Sequence, residues 1–480
     1  MDVDKKILNF YKKTRLFLKE NKSNILIHSI DVLNFVKFHE DYLLKKKEIL
    51  KKNYLDLFFF TFRNIIIGFF IWTLKYFKYF AIKKEIISHD TEVLFFSFLF
   101  EVQKNSYKQS QDPIFSKIYT KLKKNKTTTF VLFDFTSNFK FKENQRIVVL
   151  KKILSLRNEI KILFYQFKVS VFLLKILIYK KIDFIFFLQL LTSIFSFETK
   201  NNLRFLFQFE KIFLNCNPKY LVAPFEGYTW EKIAFYLSKK INPKCKIIGY
   251  QNNFIPKNIF WFEDIDELYS PNFIITSGNF NKKKIIRKNK FFKKRVFVVG
   301  TNRYSNLKKS KIYKNNCLIL PEATNFEMRL LFLFALQLAK LNRSMNFIIR
   351  THPLINLNAF LKNNLSNYNF NLKNIIISKK GFFYDIRRSN IAIYRGSTSI
   401  ISAIQNNILP VYYNYEKSIY NIDPIYDTKI KTLYIQNEKD FFDVLNNANS
   451  LKKKYFHHNR LEAKKFFSPI NYSKLNNLVG

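Results

Sequence analysis

Residues 389–413, SNIAIYRGSTSIISAIQNNILPVYY, constrain the fold of this chain more than any other stretch. The apolar, β-branched run at 391–394 predicts a short buried strand. A tight turn follows with Arg395, Gly396, Ser397, Thr398 and Ser399, then a helix from about Ile400 and a second strand at 408–412. Strand, turn, helix and strand in that order commit the region to an α/β sheet. A Gly-Ser-Thr-Ser turn that opens a helix gathers unpaired backbone N–H groups, hydroxyls and the positive end of the helix dipole. Such a point suits an anion, typically phosphate, and Arg395 beside it adds a full positive charge. Ser and Thr are equally the preferred residues of an ordinary helix cap, so the turn alone leaves both readings open.

Upstream, MNFIIRTHPLIN predicts a strand over 345–350 that ends in Thr351, His352 and Pro353. Only 6 histidines occur in the chain, and His352 falls at the carboxyl end of a central strand, where open α/β sheets bind their ligands. There an imidazole is placed to donate to a phosphate and to help a leaving group depart. Arg350, on the same strand end, adds charge to that edge.

The net charge of +47 points at first to nucleic acid or an anionic membrane. Lysines are spread over all 480 residues, however, together with heavy use of Asn, Ile and Phe, and no zinc-finger or RNP sequence is present. No nucleic-acid partner is expected; attraction to acidic lipid headgroups remains. The three cysteines, Cys216, Cys245 and Cys317, are isolated, so neither a disulfide framework nor a metal site is indicated and a reducing compartment fits. The start, MDVDKKILNFYKK, lacks the apolar core of a signal peptide.

Glycine and proline divide the chain. Of 8 Gly and 11 Pro, 6 and 9 lie between positions 217 and 424, with only Gly68 and Pro113 before them. The early part therefore reads as long helices and the later part as turn-rich strand–helix alternation. Residues 1–88 read as lysine-rich amphipathic helices. Within them the segment 55–80, LDLFFFTFRNIIIGFFIWTLKYFKYF, is interrupted by Arg63 and Asn64, which favours a helix lying in a membrane interface or buried in protein over a spanning one. EVLFFSFLF, from Glu92, and TTTFVLFDF, at 127–135, predict the first two strands of a parallel sheet. Residues 151–197 read as apolar helix with Lys161, Lys168 and Lys175 on one polar face, either core of the first domain or a second membrane-facing surface, with the core preferred.

KYLVAPFEGYTWEKIAFYLSKK then predicts a strand over 219–223, a turn with Glu226 and Gly227, and a helix from Thr229. A carboxylate on such a turn can take a proton from a hydroxyl held in a cleft. Trp230 and Glu231 read as packing and capping. The next strand, 244–256, ends in a polar loop that brings Gln251, Asn252 and Asn253 toward the same cleft. The second domain is expected to open near Pro271, with strands in NFIITSGNF and RVFVVGTNRY. CLILPEATNFEMRLL follows, with Glu322 and Glu327 at a helix start. The loop after Tyr413 is positioned to cover a ligand, and the helix from about Lys439 to pack back on the first domain.

Two Rossmann-like halves, a Glu-Gly turn in the first, and His-Pro followed by a Ser-Thr turn in the second resemble the GT-B glycosyltransferases over roughly residues 92–468. Within them the chain is similar to the bacterial polysialyltransferases and capsule Kdo transferases, which use CMP-activated sugars. The acidic residue that polysialyltransferases carry before the one matching Glu226 is Phe225 here. The resemblance implies Glu226 as general base, His352 on the donor phosphate, and Ser397 and Thr398 holding that phosphate. It implies an α/β, GT-B fold with an acceptor domain at 89–268 and a donor domain with a returning C-terminal helix at 269–480, and it offers no counterpart for the helical region read at 1–88.

The expected activity is transfer of a sugar from a nucleotide donor, CMP-linked by preference, to a surface polysaccharide or glycolipid. It is expected to need no metal or other cofactor, to invert configuration, and to act at the cytoplasmic face of the cell membrane. Catalysis falls to Glu226 and His352; phosphate binding falls to Arg350, Arg395, Gly396, Ser397, Thr398 and Ser399; Gly227, Gln251, Asn252 and Glu322 line the cleft. The alternatives are a UDP- or GDP-sugar transferase, or a membrane-attached binding protein of the same fold without activity.

Overall fold

The strands predicted from Glu92 and at 127–135 form at 93–99 and 128–134, pair in parallel and found the first of two sheets. In the computed structural model, the residues described are 2–31, 90–100, 107–135, 146–179, 181–255, 266–304, 315–352, 355–415, 422–426 and 428–480. Leu55, Asp56, Phe59, Phe62, Arg63 and Ile66 are described singly. Most of the segment 55–80 therefore lies outside the described residues.

The first sheet holds β1 (Val93–Leu99), β2 (Thr128–Asp134), β3 (Ile147–Val149), β4 (Tyr220–Pro224), β5 (Lys246–Gln251), β6 (Phe273–Thr276) and β7 (Val296–Val298), in the order β3-β2-β1-β4-β5-β6-β7. The second holds β8 (Asn316–Leu320), β9 (Asn346–Ile349), β10 (Ile375–Ile377), β11 (Ile391–Tyr394), β12 (Leu409–Tyr413) and β13 (Leu433–Ile435), in the order β10-β9-β8-β11-β12-β13. Every pairing in both is parallel. Counted from its own first strand, the second sheet reads 3-2-1-4-5-6, and the first does the same before adding β7. That is the doubly wound order, in which direction reverses between the first and fourth strands and leaves a crevice at their carboxyl ends. These central strands are buried on both faces, as their unbroken apolar runs demand. The fold is thus GT-B: two Rossmann-like domains whose carboxyl edges face each other.

The sheets correct one boundary. The strands in NFIITSGNF and RVFVVGTNRY are β6 and β7, and they extend the first sheet from β5. The change of sheet falls between Val298 and Asn316, not at 268/269. Both strands are short and apolar, and nothing in such a run says which sheet edge it will join.

The described N-terminal residues are packed into the first domain. Phe10 and Phe17 of helix Asp2–Glu20, with Ile27 and Ile30, share a core with Val169, Leu173, Phe186 and Leu190. His28 stacks on Tyr269 with ring centroids 3.9 Å apart, and the Tyr269 hydroxyl donates to the Lys22 carbonyl at 2.6 Å. Residues 156–216 form three helices, and the buried pair Arg204–Glu159 ties the first to the third, Nε to Oε1 at 2.8 Å. The assignment of this stretch to the core describes its inner face alone, since a row of large apolar side chains lies open on the outer one.

Helix Glu438–Lys464 packs on the second domain, and the chain then crosses back. Phe280 N–H donates to Lys465 O at 2.8 Å, Thr301 N–H to Ser468 O at 3.0 Å and Asn471 N–H to Val299 O at 2.7 Å. Leu475, Leu478 and Val479 of the last helix, Tyr472–Val479, finish the core under β1 and β4. Two of the scarce glycines serve this crossing. A Cβ on Gly278 would sit 2.2 Å from Phe466 O, and one on Gly300, whose φ is +95°, 2.2 Å from Pro469 O.

Candidate functional site

Glu226 and the 395–399 turn emerge at the two crevices just described: Glu226 two residues beyond β4, the turn directly after β11. The Glu226 loop is shaped from below. Gly227 takes φ +86°, a left-handed conformation that favours glycine. The Glu231 carboxylate, fully buried, accepts from the backbone N–H groups of Glu226 (3.0 Å), Gly227 (2.7 Å) and Tyr228 (3.2 Å). Burial pushes the Glu231 carboxyl well above the usual range, with the neighbouring Glu226 charge acting the same way and the three N–H donors opposing. Its role is capping, and it fixes where Glu226 stands. Trp230 packs against Phe133, centroids 4.4 Å apart, beneath the same turn.

The Glu226 side chain is buried, and Asn253 Nδ2 donates to its Oε1. Asn253 in turn accepts, at Oδ1, from Arg303 Nη1 at 3.1 Å. Arg303 Nη2 reaches across to Thr398 Oγ1 at 2.6 Å, and the guanidinium lies 4.7 Å from the Phe467 ring of the returning chain. One cation therefore links the carboxylate of one crevice to the hydroxyl of the other. Burial pushes Arg303 down to about 10, while Tyr250, Glu226 and Glu322 pull the other way, so it stays charged at neutral pH.

Gln251 and Asn252 are buried under this line. Gln251 Nε2 donates to Asn253 O at 3.1 Å, and Thr301 Oγ1 donates to Asn252 Oδ1 at 2.8 Å. They shape the loop that presents Asn253. Glu322, two residues after β8, comes so close to Gly396 that a Cβ there would lie 2.6 Å from Glu322 Oε2. Ile422 Cδ1 would be 3.1 Å from that same Cβ, which places Ile422 against the turn, while 416–421 of the loop after Tyr413 lie outside the described residues.

The turn is not an ordinary cap. Thr398 is the N-cap residue of helix Ser399–Gln405 but makes no side-chain capping bond, and its hydroxyl accepts from Arg303 instead. Ser397 is buried, and Thr398 and Ser399 are half-buried.

The two arginines assigned to phosphate are placed otherwise. Arg395 is fully buried beneath the turn: its Nε donates to Glu327 Oε2 at 2.7 Å and its Nη1 to Tyr413 O at 2.9 Å. Arg350 donates to Asp385 Oδ2 at 2.6 Å and to Lys380 O at 2.7 Å. A side chain that leaves a strand end inward meets the helices covering the sheet, and there carboxylates are waiting for both. His352 follows β9, one strand from the crevice, and is half-buried. Among the described residues no group of three or more His, Cys, Asp or Glu is arranged to hold a metal ion.

Arg303 went unsingled in the sequence because it is one of 82 Lys and Arg. Its one signal is position: it lies in the loop after the short edge strand β7, at the carboxyl edge that carries Glu226.

No protein-family model matches the chain, and no curated protein does. Solved structures similar to it include UDP-GlcNAc 2-epimerase from Methanocaldococcus jannaschii in complex with UDP-GlcNAc and UDP, 12% identical with a TM-score of 0.47, over 81% of this chain and 98% of that one. The wall teichoic acid polymerase TagF is 12% identical over 89% and 97% of the two chains, TM-score 0.43. The glycosyltransferase of kitacinnamycin is 8% identical over 81% and 99%, TM-score 0.46. These are likenesses of chain path, and they carry no residue roles.

Proposed function

We propose that this chain is an inverting glycosyltransferase that moves a sugar from a nucleotide donor to a surface polysaccharide or lipid-linked acceptor at the inner face of the cell membrane. The observation that carries the reading is the line Glu226–Asn253–Arg303–Thr398, which sets a proton acceptor and a donor-rich turn at opposite ends of one half-buried cation. The acceptor hydroxyl gives its proton to Glu226 as its oxygen bonds to the anomeric carbon. The bond from that carbon to the donor phosphate breaks, and its electron pair leaves on the phosphate oxygen. Arg303, the hydroxyls of Ser397 and Thr398, and His352 meet the charge that develops there. Asn253 holds the Glu226 carboxylate in place, and Arg395 supports the turn from below. In this scheme Arg303 supplies the positive charge within the protein, so activity is expected to survive chelators.

CMP is the favoured nucleotide, with UDP and GDP as rivals. Titration of the purified chain with CMP, UDP and GDP, followed by hydrolysis and transfer assays on the matching sugar donors, tests both levels. Tightest binding of CMP supports the full reading. Preference for UDP or GDP keeps the transferase and replaces the donor. Binding of none of the three sinks the reading.

A further inference from the structure

Helix Leu156–Ile178 has two apolar faces, and the cleft uses neither. The inner one, with Ile162, Val169 and Leu173, is buried against neighbouring helices. On the outer one Leu156, Ile160, Phe164, Phe167, Leu174 and Ile178 are exposed, Phe164 at 62% and Phe167 at 64%. Steps of three, four and seven residues keep them in one stripe along roughly 33 Å of helix. Arg157, Lys161, Lys168 and Lys175 each follow a member of that stripe by one residue, and all four are exposed. A basic row therefore runs along one edge of the apolar one. Phe184 and Ile185 extend the open surface at the start of the next helix. Soluble domains seldom leave so much contiguous apolar surface to water.

We propose that this face lies in the interface of an anionic bilayer, its apolar stripe among the acyl chains and its basic row against acidic headgroups. The charge favours lipid over a second copy, which would bring its own net charge of +47 against the same row. The helix lies in the interface and is not proposed to span the bilayer; among the described residues no helix is long and apolar enough to cross. Leu55, Phe59, Phe62 and Ile66 repeat the same spacing and are also exposed, so the membrane contact read at 55–80 has a counterpart here.

The test is sedimentation of the full chain with vesicles of phosphatidylcholine containing phosphatidylglycerol, and with phosphatidylcholine alone. Phe164→Ser with Phe167→Ser, and separately Lys161→Gln, Lys168→Gln and Lys175→Gln together, alter only exposed positions, and circular dichroism checks their fold. Wild type is expected on the anionic vesicles only. The Phe variant should lose about ten-fold or more of the binding. The Lys variant should lose on the order of five-fold per charge, with a weaker salt dependence. Three results overturn the proposal: no wild-type binding, undiminished binding by the folded Phe variant, or a vesicle-free dimer that the Phe variant turns to monomer. The readout involves no nucleotide, so it stands or falls apart from the reading of the cleft.

Discussion

Arg303, at the end of the first domain's sheet, donates from Nη2 to Oγ1 of Thr398, in the second domain, at 2.6 Å. With its other arm on Asn253, it makes the position of Glu226 and the position of the Ser-Thr turn parts of one arrangement. A ligand that displaces or shares the Thr398 hydroxyl is felt at the carboxylate. Arg303→Met should weaken nucleotide binding by about 10- to 100-fold, the span of a lost charged hydrogen bond. Arg303→Lys should restore part of it. Titration on folded variants checks this, and unchanged affinity in Arg303→Met would leave the arginine as a domain tie.

Arg395 separates from that role. Arg395→Met leaves Glu327 buried without its Nε partner and Tyr413 O without its Nη1 donor, so stability should fall by about 3–5 kcal/mol. Urea unfolding measures the loss. Below the unfolding range, nucleotide affinity should stay near wild type. A stable Arg395→Met that no longer binds nucleotide would put the arginine back on the phosphate.

Asp423 gives the structure a pH signature. It accepts from the Tyr394 hydroxyl at 3.0 Å and the Ile425 N–H at 3.0 Å, and burial pushes its carboxyl from 3.8 up to about 6. Between about pH 4 and 6 the folded state keeps a proton that the unfolded chain has released. Its contribution therefore favours folding at low pH and is lost as pH rises through that window, by up to roughly 3 kcal/mol. Asp423→Asn should flatten the difference in stability between pH 4 and 7. An identical pH profile in the variant would contradict the assignment.

His28 has the opposite sign. Burial, with the Lys232 charge adding to it, pushes its imidazole down to about 3, so the folded protein holds it neutral. Stability from this group is present above about pH 6.5 and falls as acid charges the unfolded form. His28→Gln should lessen the acid sensitivity of unfolding between pH 6 and 4. Exchange of the amides in helix Asp2–Glu20, followed across that range, reports whether the N-terminal residues loosen first.

Both crevices were legible in the sequence for a physical reason. A strand that ends in a Gly-containing polar turn and restarts as a helix is a local pattern, and β4–Glu226–Gly227 and β11–Gly396–Ser397 each fit within about ten residues. What local pattern does not carry is direction. Arg350 and Arg395 follow strands just as Glu226 does, yet their partners, Asp385 and Glu327, come from other elements. Sheet membership was hidden in the same way: β6 and β7 are apolar runs that look alike whichever domain they join. The open face of helix Leu156–Ile178 was legible only as the alternative to a core helix, because an apolar residue does not say by itself what will cover it. Arg303 needed both domains in place before it could be distinguished from other basic side chains.

The central claim is that Glu226 takes the acceptor proton while the turn across the cleft holds the donor, and one comparison tests it directly. Initial transfer rates and nucleotide affinity are measured side by side for wild type and Glu226→Gln, which keeps the shape of the side chain and removes its basicity. Turnover should fall by roughly 10²–10⁴-fold with nucleotide affinity close to unchanged. Wild-type turnover in Glu226→Gln, with its fold intact, would contradict the account.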